Sequence, residues 1–430
     1  MLGVNLVIFK KMSLLLILSL FLSASMPETT VTANKDVTSK MEKLGNPFSK
    51  SAYARNVWDM QVFEGKIYLG HGNSSNDGPA PNAGPIPIYY YDPGKNKFVV
   101  QDVVTPTSSS SKKAKINKYV DEEQIDTFKI LNGKLYIPGH DARGEGWQYG
   151  NYYKLDNNQW IKYRNIPKGV HVYDMAYYKG ELFAAIGSDT APDVLVSKDD
   201  GNTWTKLGSI DAFGPTRAYT LFEFKNKLYA VSAMLPDNNM WSTENKILCI
   251  RGCSGGGAEK AEGFQKTIYG NEMLPGITKK VTNIPPYMRM VRTTVFNDKL
   301  LYIAGEIYND HQWKPQSLVV ANDIDDARRV SFPNPNAMPM DILVRGKTIY
   351  VLTHIETSPG QYTNRVYKTS GSDLDSDANW TEVFNFKEDT FARSFEELNG
   401  DFYFGLGSDT DHVTDSTGMI LKVKKSAYSS

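Results

Sequence analysis

The sequence predicts an all-β fold, a seven-bladed β-propeller built of four-stranded antiparallel blades. A short phrase recurs along the chain, cleanest as Leu131-Asn132-Gly133-Lys134-Leu135-Tyr136. It returns around Gly65, Gly180, Asn226, Asp298, Gly346 and Gly400, which makes seven copies. In each copy Gly, Asn or Asp stands where a tight hairpin turn needs positive φ, and alternating apolar residues flank it. The turns lie 68, 47, 46, 72, 48 and 54 residues apart, with no helical period between them. The shorter spacings match one four-stranded blade of about 40–50 residues.

Residues 1–33 read as a secretory signal peptide. Lys10 and Lys11 precede an apolar run from Leu14 to Leu22, which is too short to span a bilayer, and small residues follow. A secreted, extracellular protein is therefore expected. Residues 34–50 are polar, with one short strand near Met41 to Phe48. The propeller takes residues 51–430. Its last unit shows only three strands, Arg393 to Leu398, Asp401 to Leu406 and Met419 to Lys424. The N-terminal strand is expected to supply the fourth and close the ring, which also covers two exposed edges. The inserts Gly78 to Pro87, Thr105 to Lys115, Leu235 to Asn245 and Gly252 to Gly263 are expected as surface loops. Export permits a disulfide between Cys249 and Cys253, and the spacing alone leaves the pairing open.

Charge narrows the partners. The chain carries 48 basic and 48 acidic residues, so no electrostatic footprint for nucleic acid is present. No second apolar segment is long enough for a membrane span. A monomer is expected.

Loops that enter first strands and loops that join second to third strands share one face of a propeller. That rule puts His71, His140, His171, His311, His354 and His412 on one face, with Trp58, Trp147, Trp241 and Trp313. Trp160, Trp204 and Trp380 start fourth strands and are expected to be structural. Several first strands open with charge near the central channel: Asp59, Asp126, Asp174 and Asp341, and Arg217, Arg292 and Arg393. Charges at converging strand ends must be paired or used. A ring of channel salt bridges is one reading. The other is a site in which Arg217, Arg292 and Arg393 bind a carboxylate and Trp58 and Trp147 stack on sugar rings. Catalytic candidates are His71 and His140, expected at equivalent points of adjacent blades, with Tyr173, Asp59 and Asp174. The residues identify no cofactor. A metal held by two or three of the imidazoles is left open, with no H-x-H or H-E-x-x-H spacing to support it.

Unit three contains Ser197-Lys198-Asp199-Asp200-Gly201-Asn202-Thr203-Trp204. These eight residues resemble the Asp-box, or bacterial neuraminidase repeat. Asp199 is expected to cap backbone N–H groups with Ser197 and Thr203 beside it, Gly201 to supply positive φ, and Trp204 to pack between blades. The resemblance implies a secreted, sialidase-like propeller that binds or acts on glycans, with the box structural and on the face away from the site. The chain differs from sialidases of that group in having seven units and no F-R-I-P motif. The expected function is thus binding or processing of a carbohydrate, an acidic glycan favoured. The alternatives are a non-catalytic scaffold for protein or cell-wall polymer, and a polysaccharide lyase or sialidase-like glycosidase.

Overall fold

The recurring turns form the hairpins of seven sheets in a computed structural model. It describes residues 35–74, 83–107, 114–188, 191–210, 216–234, 247–253, 287–307, 313–324 and 326–429. The signal segment, His311 and Trp241 lie outside the described residues, as do most of the two inserts of unit four. All seven turn residues have positive φ: Gly65, Gly133, Gly180, Asn226, Asp298, Gly346 and Gly400. In six of the hairpins the preceding residue is left-handed as well. Two consecutive left-handed residues give the turn whose twist matches that of paired strands.

Each blade runs outward from its first strand. Blade 1 is Val57–Phe63, Lys66–His71, Tyr89–Asp92 and Lys97–Val100. Blade 3 is His171–Tyr178, Glu181–Gly187, Asp193–Ser197 and Thr205–Ser209. Blades 5 and 6 repeat the pattern from Tyr287–Phe296 and Met338–Arg345. Blade 4 shows three strands among the described residues: Thr216–Phe224, Lys227–Met234 and Ile247–Arg251. A disulfide joins Cys249 within this last strand to Cys253 just beyond it. Blade 7 is Ala392–Leu398, Asp401–Leu406 and Ile420–Val423, and its outer strand is Glu42–Gly45. Glu42 pairs with Lys422 and Lys43 with Leu421, so the N-terminal segment closes the ring. No described helix is long and apolar enough to cross a membrane.

Blade 2 departs from the four-strand pattern. Its strands Lys129–Leu131, Lys134–Pro138, Tyr149–Asp156 and Gln159–Pro167 are extended by Val103–Thr105 and Lys115–Asn117, to six. These two short strands flank the serine run expected as part of a loop. Val103 pairs parallel to Trp160, whose indole is fully buried and donates to Gln101 Oε1 at 2.8 Å. The insert therefore shields the apolar edge that Trp160 would otherwise expose.

The core is divided by the ring. Apolar clusters fill the interfaces between neighbouring blades. Phe128, Tyr68 and Trp160 lie between blades 1 and 2, and Leu131, Tyr152 and Met175 between blades 2 and 3. Phe395, Phe384 and Leu352 lie between blades 6 and 7, and Val57, Leu69 and Tyr403 between blades 7 and 1. The turn from Ser197 to Trp204 joins two strands of blade 3. Asp199 accepts from Thr203 N at 2.9 Å, Thr203 Oγ1 at 2.6 Å and Ser197 Oγ at 2.7 Å. Those bonds hold its carboxyl down at about 2. Gly201 has φ +88°, and a Cβ there would meet the Tyr152 hydroxyl at 2.2 Å. Trp204 packs edge-on against Tyr152 of blade 2.

Around the channel the first strands share one irregularity. Register shifts by one residue between Val57 and Asp59, Val172 and Asp174, Ala218 and Thr220, Pro339 and Asp341, and Ala392 and Ser394. The residue just after each bulge bears a side-chain oxygen that reaches the next blade. Asp59 accepts from Phe128 N at 2.6 Å, Asp174 from Leu221 N at 2.8 Å and Asp341 from Phe395 N at 3.1 Å. Thr220 donates to Met290 O at 2.7 Å and Ser394 to Val57 O at 2.8 Å. The two remaining junctions are ionic: Lys129 to Asp174 at 2.9 Å and Arg292 to Asp341 at 3.3 Å.

Asp174→Ala strips both a backbone donor and Lys129 of their partner in a buried setting. It should cost about 3 kcal/mol. Asp200→Ala, whose pairs with Lys134 and Lys154 are half exposed, should cost about 0–1 kcal/mol. Urea unfolding of the two variants against the parent measures the contrast, and equal losses would contradict the clamp.

Candidate active site at the channel mouth

The first strands of all seven blades line a central cavity of about 840 Å³. A bulge re-aims the extra residue's side chain. The bulge residues Trp58, Tyr173, Tyr219, Met340 and Arg393 all stand on the cavity wall. In blade 5 the register skips from Val291 to Thr294, and Arg292 takes φ +55°. Its guanidinium donates to Asp59 Oδ1 at 2.6 Å and to Trp58 O, and meets Asp341 from its Nε side. Blade 5 is thereby tied to blades 1 and 6. These contacts offset the backbone strain of a left-handed arginine.

Three other arginines face the cavity differently. Arg393 lies 4.2 Å over the Trp58 ring and donates to Asn56 Oδ1 at 2.9 Å and Ser408 O at 3.1 Å. Arg289 lies 4.4 Å over Tyr219 and donates to its hydroxyl at 2.9 Å. Arg217 lies beside Tyr173, donates to Ser188 O at 3.5 Å and fits against Gly187, where a Cβ would meet its Cδ at 2.3 Å. Among the described residues none of the three has a carboxylate within salt-bridge distance, and the Nε atoms of Arg217 and Arg289 are buried without a hydrogen-bond partner.

Two imidazoles join them. His171 Nδ1 lies 3.2 Å from His140 O and 3.3 Å from Asp141 Oδ1, two acceptors that favour a proton on Nδ1 and orient the ring. The His171 ring stacks on Tyr173 with centroids 5.4 Å apart, and His140 meets Tyr173 edge-on at 5.1 Å. Burial lowers the His140 pKa against the pull of Asp126 and Asp141, so the ring is neutral at pH 7. Burial raises the Tyr173 phenol, which Arg217 only partly offsets, so it stays protonated. Asp126 is held by Gln124 Nε2 at 2.8 Å and by the Tyr219 hydroxyl at 3.4 Å.

The structure brings His140, Tyr173, Asp59, Asp174, Arg217, Arg292, Arg393 and Trp58 to one cavity. It separates their roles. Asp59 and Asp174 spend oxygens on the next blade's backbone, and Arg292 is committed to two carboxylates. They belong to the ring of channel contacts and are unsuited to act as acids or ligands. His71 is not on the wall. It pairs with Val57 as Ile186 pairs with Val172, which is a core position, and the two histidines of blades 1 and 2 are therefore not equivalent. Its ring packs tilted against Phe48 at 4.2 Å, faces Pro87 O at 3.1 Å, and burial pushes its pKa down to about 4. His354 is likewise buried, stacked on Phe391 at 4.6 Å, and His412 is exposed. Trp147 is 67% exposed and lies outside the cavity. Trp160, Trp204 and Trp380 are buried, as the fourth-strand starts require. Nothing in the sequence marks Arg289 or Tyr219, and His171 is marked only by its face. Arg289 lies three residues before Arg292 in regular register, whereas Arg292 falls in a bulge that the sequence does not display.

No family model and no curated protein matches the chain. Solved structures do. The Neurospora crassa Pan2 WD40 domain aligns at 10% identity and TM-score 0.49, over 89% of this chain and 95% of that one. YCF48 bound to D1 peptide aligns at 10% and 0.40, over 90% and 97%. A subtype N10 neuraminidase-like protein of A/little yellow-shouldered bat aligns at 10% and 0.38, over 75% and 92%.

Beneath the His140–Asp141 segment lies Glu122, fully buried. It accepts from Asn151 Nδ2 at 2.7 Å, Tyr153 Oη at 3.0 Å and Asp141 N at 3.1 Å. Burial raises its pKa from 4.5 to about 8 despite those bonds. The folded state then holds a proton that the unfolded chain releases. The resulting stabilisation is complete below about 4.5 and is lost as pH rises through about 8. Thermal unfolding should therefore give a higher midpoint at pH 5 than at pH 8, and Glu122→Gln should shrink the difference. An unchanged difference in the variant would remove Glu122 as its source.

Proposed function

We propose that this propeller binds an acidic carbohydrate at the mouth of its central channel. The observation that carries the reading is the set of three guanidiniums, Arg217, Arg289 and Arg393, that face the cavity without a carboxylate partner among the described residues. Guanidinium forks match carboxylates in shape and charge. Trp58, Tyr173 and Tyr219 supply flat apolar surfaces for sugar C–H faces beside them. A scaffold reading has less support, since it has no use for cations that lack a carboxylate partner among the described residues of a recess. The Ser197–Trp204 turn, through its likeness to the Asp-box of sialidase-like propellers, favours the same ligand class. The N-terminal segment favours action outside the cell, which recovery of a shortened chain from culture medium would test.

Turnover is the second reading, and the Asp141–His171 pair favours it. Paired carboxylates for hydrolysis are poorly served here, because Asp59, Asp174 and Asp341 are occupied by the neighbouring blades' backbone. An imidazole oriented by a carboxylate, a protonated phenol and an arginine suit β-elimination from a uronate. His171 Nε2 takes the C5 proton while Arg217 neutralises the carboxylate. The electron pair forms the C4=C5 double bond and the C4–O4 bond breaks. The leaving oxygen takes the Tyr173 proton.

Calorimetry with a glucuronate oligosaccharide and its neutral analogue tests the binding. The acidic ligand should be preferred, and Arg217→Ala or Arg289→Ala should weaken it by about 10–100-fold. Equal affinity for both ligands would sink the reading. In the same series, ultraviolet absorbance of unsaturated ends reports elimination. His171→Ala should abolish it and retain binding.

A further inference from the structure

The strand-connecting loop that delivers His140 and Asp141 to the cavity continues to Trp147 and Tyr149, which are 67% and 48% exposed. An indole and a phenol left in water two residues apart offer two flat apolar faces of the kind that stack on sugar rings. The backbone beneath them is fastened. Arg164 donates to Gly146 O and Tyr149 O, each at 2.7 Å. Glu145 accepts from the buried Lys162 at 2.7 Å. Lys168 N donates to Gln148 O at 2.8 Å. Every residue from Glu145 to Tyr149 except Trp147 is thus held through its side chain or its carbonyl, while the indole makes no ring contact among the described residues. A rigid loop with a free aromatic face is a preorganised platform, since no loop ordering remains to be paid on binding.

We propose that Trp147 and Tyr149 form a second sugar-stacking subsite on the rim. The ligand is then an oligosaccharide or polymer, with one acidic unit at the arginines and neighbouring units across this loop. Topology supports the continuity, because Asp141 pairs with His171 on the cavity wall and lies six residues before Trp147 on the same loop. The inference rests on the acidic-carbohydrate reading and adds chain length to it.

The test is a length series of glucuronate oligosaccharides titrated against the full chain, against Trp147→Ala and Tyr149→Ala, and against Arg217→Ala. Parent affinity should rise by about tenfold or more beyond the disaccharide. Trp147→Ala should erase that rise and leave disaccharide affinity unchanged, with an unaltered thermal midpoint because the side chain is exposed. A rise that persists in Trp147→Ala, or an equal loss at every length, overturns the platform while leaving the cavity reading intact. Failure of the parent to retain any acidic oligosaccharide overturns both. Retention of a protein partner through Trp147 with no glycan bound assigns these rings to protein recognition and overturns the proposal.

Discussion

The hydrogen bond from one blade's inner strand to the next, made one residue past a bulge, is the constraint on which the rest of this molecule depends. Seven sheets packed side by side have no backbone continuity at the axis, and apolar packing between their faces is not directional. A side-chain oxygen aimed at a neighbour's backbone supplies direction. Asp59, Asp174, Thr220, Asp341 and Ser394 do this, and Lys129 and Arg292 complete the circle by charge. The bulge that positions each clamp also ejects the preceding side chain toward the axis. Stability and the composition of the cavity wall are therefore set by adjacent residues of the same strand.

That coupling explains how the ring tolerates charge at its centre. Burial pushes the carboxyls of Asp59 and Asp341 upward, yet each has a backbone donor and Arg292 beside it. Arg292 is raised in turn by the same two carboxylates. The network is satisfied from within. Closure at the outer edge has a different basis. There Glu42–Gly45 completes the last sheet, and the chain just before it pairs at Asp36 with Asn385 of blade 6. The N-terminal segment thus spans two blades, and Phe48 beyond it reaches His71 of blade 1.

What the sequence displayed depended on how local the physics was. Hairpin turns need particular residues at particular positions, so seven hairpins, and with them the blade count, could be read from Gly, Asn and Asp alone. The closing strand followed from a missing fourth strand. The site was legible only by residue type. Asp59, Asp126, Asp174 and Asp341 look alike in sequence, but Asp126 occupies the inward position while the others stand one residue later and clamp. A single-residue offset decides between wall and joint, because side chains alternate along a strand. The same offset separates His71 from His140 and Arg292 from Arg289. A bulge has no composition of its own here, with Trp, Tyr, Met and Arg all occupying it, so these distinctions required coordinates.

Because the clamps fix the ring, the bulge residues are free to differ. Five clamp side chains are Asp, Thr or Ser, all short and oxygen-bearing, whereas their bulge neighbours run from Met340 to Arg393 and Trp58. A purely structural channel would favour the reverse, with charge at the axis paired off and no aromatic needed. Instead, among the described residues, cations without a carboxylate partner stand on blades 4, 5 and 7, aromatic rings on blades 1, 3 and 4, and an imidazole on each of blades 2 and 3. Repetition of one blade does not generate a wall whose residue differs from strand to strand. The difference lies in the bulge residues, which the clamps leave free to vary, and it is this varied wall on which the acidic-carbohydrate proposal rests.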